Sequence, residues 1–503
     1  MEHDYSKESN IRFSTVAVVG GGASGMMAAL TAAKVPGRRV HLIERQQRVG
    51  RKLLATGNGR CNLTNLGAAP GDYCGTDAAF AAPSLNALPP EDTLAFFREL
   101  GLLTVTEPGG RVYPLSDSAN SVLDVLRFAL EERGIVIHCG APVEELRHGK
   151  RGFVLSGEAL GRLEADAVIL ACGGAAGAKL GGVTDGYRLG KELGHRRTAL
   201  YPSLTRIRTE AEYPRALKGV RVQAGLRLTR GGVLLAESHG EVQFTETGIS
   251  GPAGFDLSRA AACGGDRLTL HLRLLPFDEE ILLGLLRARC RLFPRLETAE
   301  LFTGMLHNRL GRVVVKAAEL PMQGALSSLT DAQLQAAARK CLDFCLPVLG
   351  VDGFDAAQVT AGGLRTDEFD PRTLESRLVP GLFACGEVLD IDGPCGATTC
   401  SGPGQPAPWP GGWAHDPGTE SPPAGGGGIC RCCRAPAGTL RAETPHPAGE
   451  DHGMRAEKAL AGRKAEAADQ LDLLRSCQCP GERGGSPAAL QKCGRAGIPP
   501  ASL

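Results

Sequence analysis

Val16-Ala17-Val18-Val19-Gly20-Gly21-Gly22-Ala23-Ser24-Gly25 carries an apolar strand pattern straight into a glycine turn, and residues 26–34 continue with small and apolar side chains at helical spacing. A second apolar run, Val40-His41-Leu42-Ile43, ends on the acid Glu44, with Arg45 beside it. Strand, glycine turn, helix and acid-terminated strand form the opening unit of a dinucleotide-binding fold. Gly20 permits the tight turn, Gly22 lets the backbone approach a pyrophosphate, and Gly25 lets helix and strand pack closely. The helix N-terminus at Ala23 and Ser24 offers unpaired N–H groups and a positive dipole end to the phosphates. Glu44, about 20 residues on, puts a carboxylate where an adenosine ribose can donate to it. In a chain with 68 glycines the spacing alone decides little; the flanking strands and the terminal acid decide it.

The chain has 503 residues, room for roughly two to four domains. Lys+Arg number 56 against 55 for Asp+Glu, a net charge of +1, so composition gives no support to a nucleic-acid or anionic-membrane partner. The partner expected is a small-molecule substrate, and oligomeric state is left open. The start, Met1-Glu2-His3-Asp4-Tyr5, is too polar for an export signal, and no run approaches the ~20 apolar residues of a membrane span. A cytoplasmic, soluble protein is expected, with its 17 cysteines kept as thiols.

After Glu44 comes Gly50-Arg51-Lys52-Leu53-Leu54-Ala55-Thr56-Gly57-Asn58-Gly59-Arg60-Cys61-Asn62-Leu63-Thr64-Asn65, a loop rich in amide, hydroxyl and cationic donors. Such donors suit a phosphate or an electron-rich ring. Residues 90–100 and 120–133 read as amphipathic helices, 110–116 as a hairpin or loop, 135–138 as a strand and 153–155 as half a hairpin. Residues 167–171 read as a buried strand that runs into Cys172-Gly173-Gly174. A separate nicotinamide domain on Gly173, Gly174 and Gly177, making the chain a nicotinamide-only dehydrogenase, is the rival reading. It is disfavoured because residues 178–186 are too broken by glycine to begin a helix at once, and no second acid-terminated strand follows.

From 202 to 274 short alternating runs, at 222–228, 240–245 and 268–274, predict a β-rich unit. From 278 to 340 the spacing turns helical, at 281–292, 299–310 and 334–340. Val359-Thr360-Ala361-Gly362-Gly363 and Gly381-Leu382-Phe383-Ala384-Cys385-Gly386-Glu387 then restore the strand-to-glycine style of the opening. The chain therefore returns to its first domain. No Ser-His-Asp set, metal-ligand cluster or catalytic carboxylate pair stands out, so the catalytic residues are unknown and no metal is expected.

Four blocks, at 50–65, 240–259, 359–363 and 381–396, resemble the bacterial flavoprotein family that includes aminoacetone oxidases and the flavoproteins of bile-acid-inducible operons. The resemblance spans about residues 15–396. It implies an α/β fold: a Rossmann-like FAD-binding domain split in sequence, with an inserted β-barrel that itself carries a helical subdomain. The expected bounds are 1–198 and 358–396 for the FAD domain, 199–275 and 341–357 for the barrel, and 276–340 for the helices. By position, Gly20, Gly22, Ala23, Ser24, Gly25, Glu44 and Arg45 would serve the ADP half, Val143 the adenine side, and Ala171-Cys172-Gly173 a second glycine contact. Lys52, Thr56, Asn58, Arg60, Cys61 and Asn62 would line the flavin side, with Gly386 and Glu387 at the ribityl chain. Relatives commonly have Ala-Thr-Gly at the second contact, so Cys172 lacks a hydroxyl there. The implied activity is FAD-dependent oxidation or reduction of a small organic molecule: amine oxidation with oxygen, or enone reduction with NAD(P)H as reductant. A redox disulfide between Cys61 and Cys172 is disfavoured, since neither belongs to a short cysteine pair.

The family pattern stops at Gly396. Relatives continue with Gly-Tyr-Asn-Leu-Gln-Trp-Ala, the start of a helix aimed at the flavin, whereas this chain reads Ala397-Thr398-Thr399-Cys400-Ser401-Gly402-Pro403-Gly404-Gln405. One coding of Gly-Tyr-Asn-Leu-Gln-Trp-Ala-Trp-Ser, read from its second base, gives this run. A one-nucleotide deletion at the Gly396 codon, in the gene or its sequencing, would put everything after it out of frame. Residues 397–503 hold no Val, Phe or Tyr, and a disordered tail is expected there. Cys430, Cys432, Cys433, Cys477 and Cys479 fit no standard spacing of zinc knuckles.

Overall fold

The structure, a computed structural model, describes residues 12–395. Gly396 and the tail expected to be out of frame lie outside the described residues. A parallel five-stranded sheet forms the first layer, in the order Leu382–Ala384, Ala167–Leu170, Thr15–Val19, Arg39–Glu44, Val136–Cys139. Thr15–Val19 sits at the centre and is buried along its whole length. A strand covered on both faces has no polar side to present, so it reads as an unbroken apolar run. The edge strand Leu382–Ala384, which pairs with Ala167–Leu170, arrives over 360 residues after Thr15–Val19, and the sheet is complete only when the chain returns. Helices Ala23–Ala32 and Ala119–Glu132 share one apolar core with the sheet.

Between the two parts of this domain lies a closed six-stranded barrel: Ile207–Thr209, Gly248–Ser250, Val233–Phe244, Arg221–Arg230, Leu268–Arg273 and Phe344–Val351. The last strand pairs back onto the first, at Ile207 with Val351. Alternation shows most plainly in Leu268–Arg273, where Leu268, Leu270 and Leu272 are buried and the residues between them are not. Helices Glu279–Leu292, Asn308–Ala317 and Asp331–Leu342 share the barrel's core. The fold class is thus the one expected, a split Rossmann-like domain with an inserted barrel that carries helices.

One expected helix is misplaced. Residues 299–310 form a single 3-10 turn at Thr298–Glu300 and then turns, and the helix begins only at Asn308. Gly304 stands at φ +84°, a left-handed conformation that stops a right-handed helix, and the His307 ring caps the new one by accepting from the Arg309 N–H at 3.2 Å. Four helices, Ala82–Ala87, Asp185–Glu192, Glu212–Ala216 and Pro252–Cys263, were not anticipated. Among the described residues no helix is long and apolar enough to cross a membrane.

Candidate functional site

The glycines of the opening turn divide by what surrounds them. Gly20 has φ +113°, and a Cβ there would lie 2.3 Å from the Ala171 carbonyl oxygen. A Cβ on Gly25 would lie 1.7 Å from the Gly20 carbonyl oxygen. Both positions are closed by the protein's own backbone. Gly22 differs: it has ordinary φ, and a Cβ would meet nothing within 4 Å. Gly173, at φ +71°, also faces open space. Gly22 caps helix Ala23–Ala32, whose start has no side-chain cap and no acid in its first turn. An uncapped helix N-terminus beside a glycine with no steric need of its own is a place for an anion to approach the backbone.

Glu44 closes the turn from the next strand. One carboxylate oxygen accepts from the Gly21 N–H at 2.8 Å and the other from the Gln46 N–H at 2.7 Å, which fixes its plane. Arg45 points to Asp185 at 3.0 Å. Val143 is buried, and its carbonyl accepts from Arg188 at 3.1 Å. Ala171 is buried against the turn. Cys172 directs its thiol to the Val19 carbonyl at 3.4 Å, and burial, reinforced by Asp185 and Glu44, pushes that thiol up to about 12. It is a neutral thiol at physiological pH. Among the described residues Cys172 is in no disulfide.

On the other side of the turn, the Lys52 ammonium meets a Glu387 carboxylate oxygen at 2.8 Å across 335 residues. The second Glu387 oxygen accepts from the Thr360 N–H at 2.9 Å, and the Thr360 hydroxyl accepts from the Ala176 N–H at 2.9 Å. Gly386, at φ +79°, lies so close to Ser24 that a Cβ would sit 2.5 Å from its hydroxyl. Three of the four sequence blocks therefore converge beside the glycine turn. Within Leu53–Gly59 the backbone breaks its helical path at Thr56, and Gly57 and Asn58 are left-handed at φ 56° and 57°. Thr56 donates to the Leu53 carbonyl at 2.6 Å, while Cys61 and Asn62 are buried under the loop. The Arg60 guanidinium pairs with Glu107 and Asp117 and stacks 4.0 Å over the Tyr113 ring. That side chain ties the loop to the neighbouring hairpin.

The candidate set read from sequence lacks Thr360 and the pair Arg259–Asp392. The Arg259 Nε lies 3.0 Å from both Asp392 oxygens, which joins the barrel helix Pro252–Cys263 to the final segment of the Rossmann-like domain. Both residues fall in blocks singled out by resemblance, and the signal that could have found them is that each is the last charged residue of its block. Burial pushes the Asp392 carboxyl up to about 6, against the pull of Arg259 and with help from Asp390 and Glu387. A raised carboxyl binds its proton more tightly folded than unfolded, so its cost is absent below the unfolded value of 3.8, grows as pH rises to about 6, and is constant above. Asp392→Asn should therefore remove a loss of stability on the order of 3 kcal/mol between pH 4 and pH 7. Denaturant melts of both proteins at the two pH values check this; parallel pH dependence in the two would refute it.

Fold and glycine turn together are those of a Rossmann-like, dinucleotide-binding type of domain. The HI0933-like protein Rossmann domain matches residues 14–399, and the chain belongs to that family of FAD-dependent oxidoreductases. It is 37% identical over 386 residues to the 3-dehydro-bile acid delta(4,6)-reductase of Clostridium scindens, covering 76% of this chain and 94% of that protein. The ribosomal RNA dihydrouridine synthase of Escherichia coli is 29% identical over 389 residues, 76% of this chain and 93% of that protein. Its namesake from Haemophilus influenzae is 25% identical over 398 residues, 76% and 94% of the two chains. The open space at Gly22 and Gly173 and the uncapped helix start fit FAD.

Proposed function

We propose that this protein is a FAD-dependent reductase that saturates a carbon–carbon double bond conjugated to a carbonyl in a small organic molecule, with NAD(P)H as electron donor. The observation that carries this reading is the 37% identity, over 94% of its length, to a reductase named for the delta(4,6) double bonds of a 3-dehydro bile acid. Dihydrouridine formation, named in the more distant relatives, is the same class of reaction, since the uracil double bond is also conjugated to a carbonyl. Both favour reduction over the oxidation of amines. The near-zero net charge favours a small substrate over RNA, whose phosphates are met by clustered cations.

FAD, when bound, supplies the two-electron transfer, and the chain supplies binding and orientation. Gly22, Ala23, Ser24 and Gly25 would present backbone N–H groups to the pyrophosphate, Gly20 shaping the turn while its own N–H goes to the Ile43 carbonyl at 2.8 Å, and Glu44 would serve the adenosine ribose with Arg45 beside it. Val143 and Ala171-Cys172-Gly173 flank the ADP half. Lys52, Thr56, Asn58, Arg60, Cys61 and Asn62 form the flavin-side loop, and Gly386 and Glu387 the ribityl side. The Lys52–Glu387 pair holds loop and return segment together. Both side chains are partly exposed, at 30% and 20%, so its effect on overall stability is small. Lys52→Met should raise the Kd for FAD about tenfold while moving the melting temperature of the FAD-free protein little. A flavin fluorescence titration beside a thermal melt reads both quantities.

The function is tested by following NAD(P)H consumption with a 3-oxo-4,6-diene steroid, a small primary amine under oxygen, and a uridine-containing RNA fragment. Steroid-dependent consumption, with a product heavier by two hydrogen atoms, is expected. Oxygen uptake with the amine and no reduction of the steroid would overturn the proposal, and activity on RNA alone would replace the substrate class.

A further inference from the structure

A second group of side chains lies on the outer wall of the barrel. Register places Glu237, Arg227, His271 and Cys345 in one row across four adjacent strands, because Arg227 pairs with both Glu237 and His271, and His271 pairs with Cys345. Their neighbours Leu226, Leu270, Leu272, Phe344 and Leu346 are buried in the barrel, so the row faces outward. Asp343 precedes the last strand and brings its carboxylate to the same spot. The His271 Nδ1 lies 2.8 Å from the Asp343 Oδ1 and 3.3 Å from the Cys345 Sγ, and the three ligand atoms lie within 4.8 Å of one another. A cavity of about 510 Å³ opens beside them over Gly225, bordered by Glu237, His239 and Arg273.

We propose that His271, Asp343 and Cys345 bind a zinc-type divalent cation, with a fourth coordination position open to this cavity. Without a metal, the single Nδ1 proton of a neutral imidazole goes to one of the two groups that converge on it, and the thiol can donate to the Asp343 carbonyl at 3.6 Å. A cation would draw all three ligand atoms onto one point. Zinc bonds of about 2.0–2.3 Å set tetrahedral ligands roughly 3.3–3.8 Å apart, so the His271–Cys345 separation already fits and the His271–Asp343 separation must open by about half an ångström. Asp343 is 48% exposed and has room to do so. The other ring nitrogen, Nε2, is held by the Thr229 hydroxyl at 3.0 Å, the outer hydrogen bond that fixes the ring of a metal-ligating histidine. Imidazole, thiolate and carboxylate together suit zinc and not magnesium or calcium, which take oxygen ligands. Arg227, 3.7 Å from the Asp343 Oδ1, opposes a bound cation, as do the more distant Lys340 and the cavity-lining Arg273. Binding releases the Cys345 proton, so that thiolate, carboxylate and Zn²⁺ sum to zero and Arg227 can serve as outer partner of the carboxylate.

The test is a Zn²⁺ titration of the full chain after metal removal, with Co²⁺ as a spectroscopic substitute. Wild type should bind one equivalent more than Cys345→Ser or His271→Asn, with at least a 100-fold loss of affinity at that site in each variant. The near-ultraviolet thiolate-to-cobalt absorption should fall in Cys345→Ser. Thr229→Val should weaken the site about tenfold. Cysteines beyond residue 396 contribute equally to every protein and cancel in the comparison. Should a barrel variant fail to fold, Asp343→Asn, at an exposed residue, gives the same reading. Zinc stoichiometry and affinity that are the same in wild type and variants would overturn the proposal.

Discussion

Gly25→Ala should collapse the opening βα unit, whereas Gly22→Val should leave it standing and cost the protein its FAD. At Gly25 the added methyl meets the Gly20 carbonyl oxygen at 1.7 Å, a backbone atom with no rotamer to move into. The helix must shift off the central strand, at a cost on the order of 3 kcal/mol or more. Little soluble protein and a sharply lowered melting temperature are expected. At Gly22 the backbone is already extended at φ −75° and ψ −174°, which valine accepts, and among the described residues no atom lies within 4 Å of an added Cβ. The FAD-free protein should therefore melt within a few degrees of the parent. The side chain instead fills the space through which a pyrophosphate reaches the helix N-terminus, and FAD affinity should fall at least about 30-fold, or 2 kcal/mol. Thermal melts of both variants and flavin titrations of Gly22→Val separate the two effects. A Gly22→Val protein that holds FAD like the parent would mean that the open space belongs to something else.

The same contrast explains what could be read from sequence. Thr15–Val19 was legible because a strand buried on both faces is uniformly apolar, and Leu268–Arg273 because one buried face gives alternation. The glycine turn was legible because Gly20 and Gly25 are closed by backbone atoms that no side chain can displace. The interval 299–310 was not, since its apolar spacing resembles a helix and the break depends on one left-handed glycine, Gly304. At the site, Lys52 and Glu387 were each singled out, but their pairing crosses 335 residues and exists only after both halves of the sheet assemble. Thr360 acts through a backbone N–H and a hydroxyl turned toward Ala176, and such a role leaves no mark in residue type. Arg60 reads as a flavin-side cation, yet its charge is taken up by Glu107 and Asp117, residues that only the hairpin fold brings near.

Inserting one base at the Gly396 codon should raise the FAD retained through purification at least tenfold. The family match ends at residue 399, and the Clostridium scindens relative is covered over 94% of its length by 76% of this chain, so the likeness leaves the sequence where the proposed shift begins. That point is structurally central. Asp392 is clamped by Arg259, and the Cys395 N–H donates to Asp256 at 2.7 Å, so the chain reaches Gly396 from the junction between FAD domain and barrel helix. In frame, the next residues resemble Gly-Tyr-Asn-Leu-Gln-Trp-Ala, a helix start whose N–H groups the resemblance aims at the flavin. As written, they are Ala397-Thr398-Thr399-Cys400-Ser401-Gly402-Pro403, which bring no such sequence to the junction. The corrected protein should be yellow, and the chain as written pale. Both share Gly20 to Glu44, so both should still bind adenosine nucleotides, and the difference should lie in retention of the flavin end. Flavin absorbance per mole of protein after gel filtration measures it, and equal FAD content in the two proteins would sink the frameshift as a cause of impairment. Resequencing across the Gly396 codon then assigns the origin: an extra base in the read places the error in sequencing, and an unchanged read places the shift in the gene.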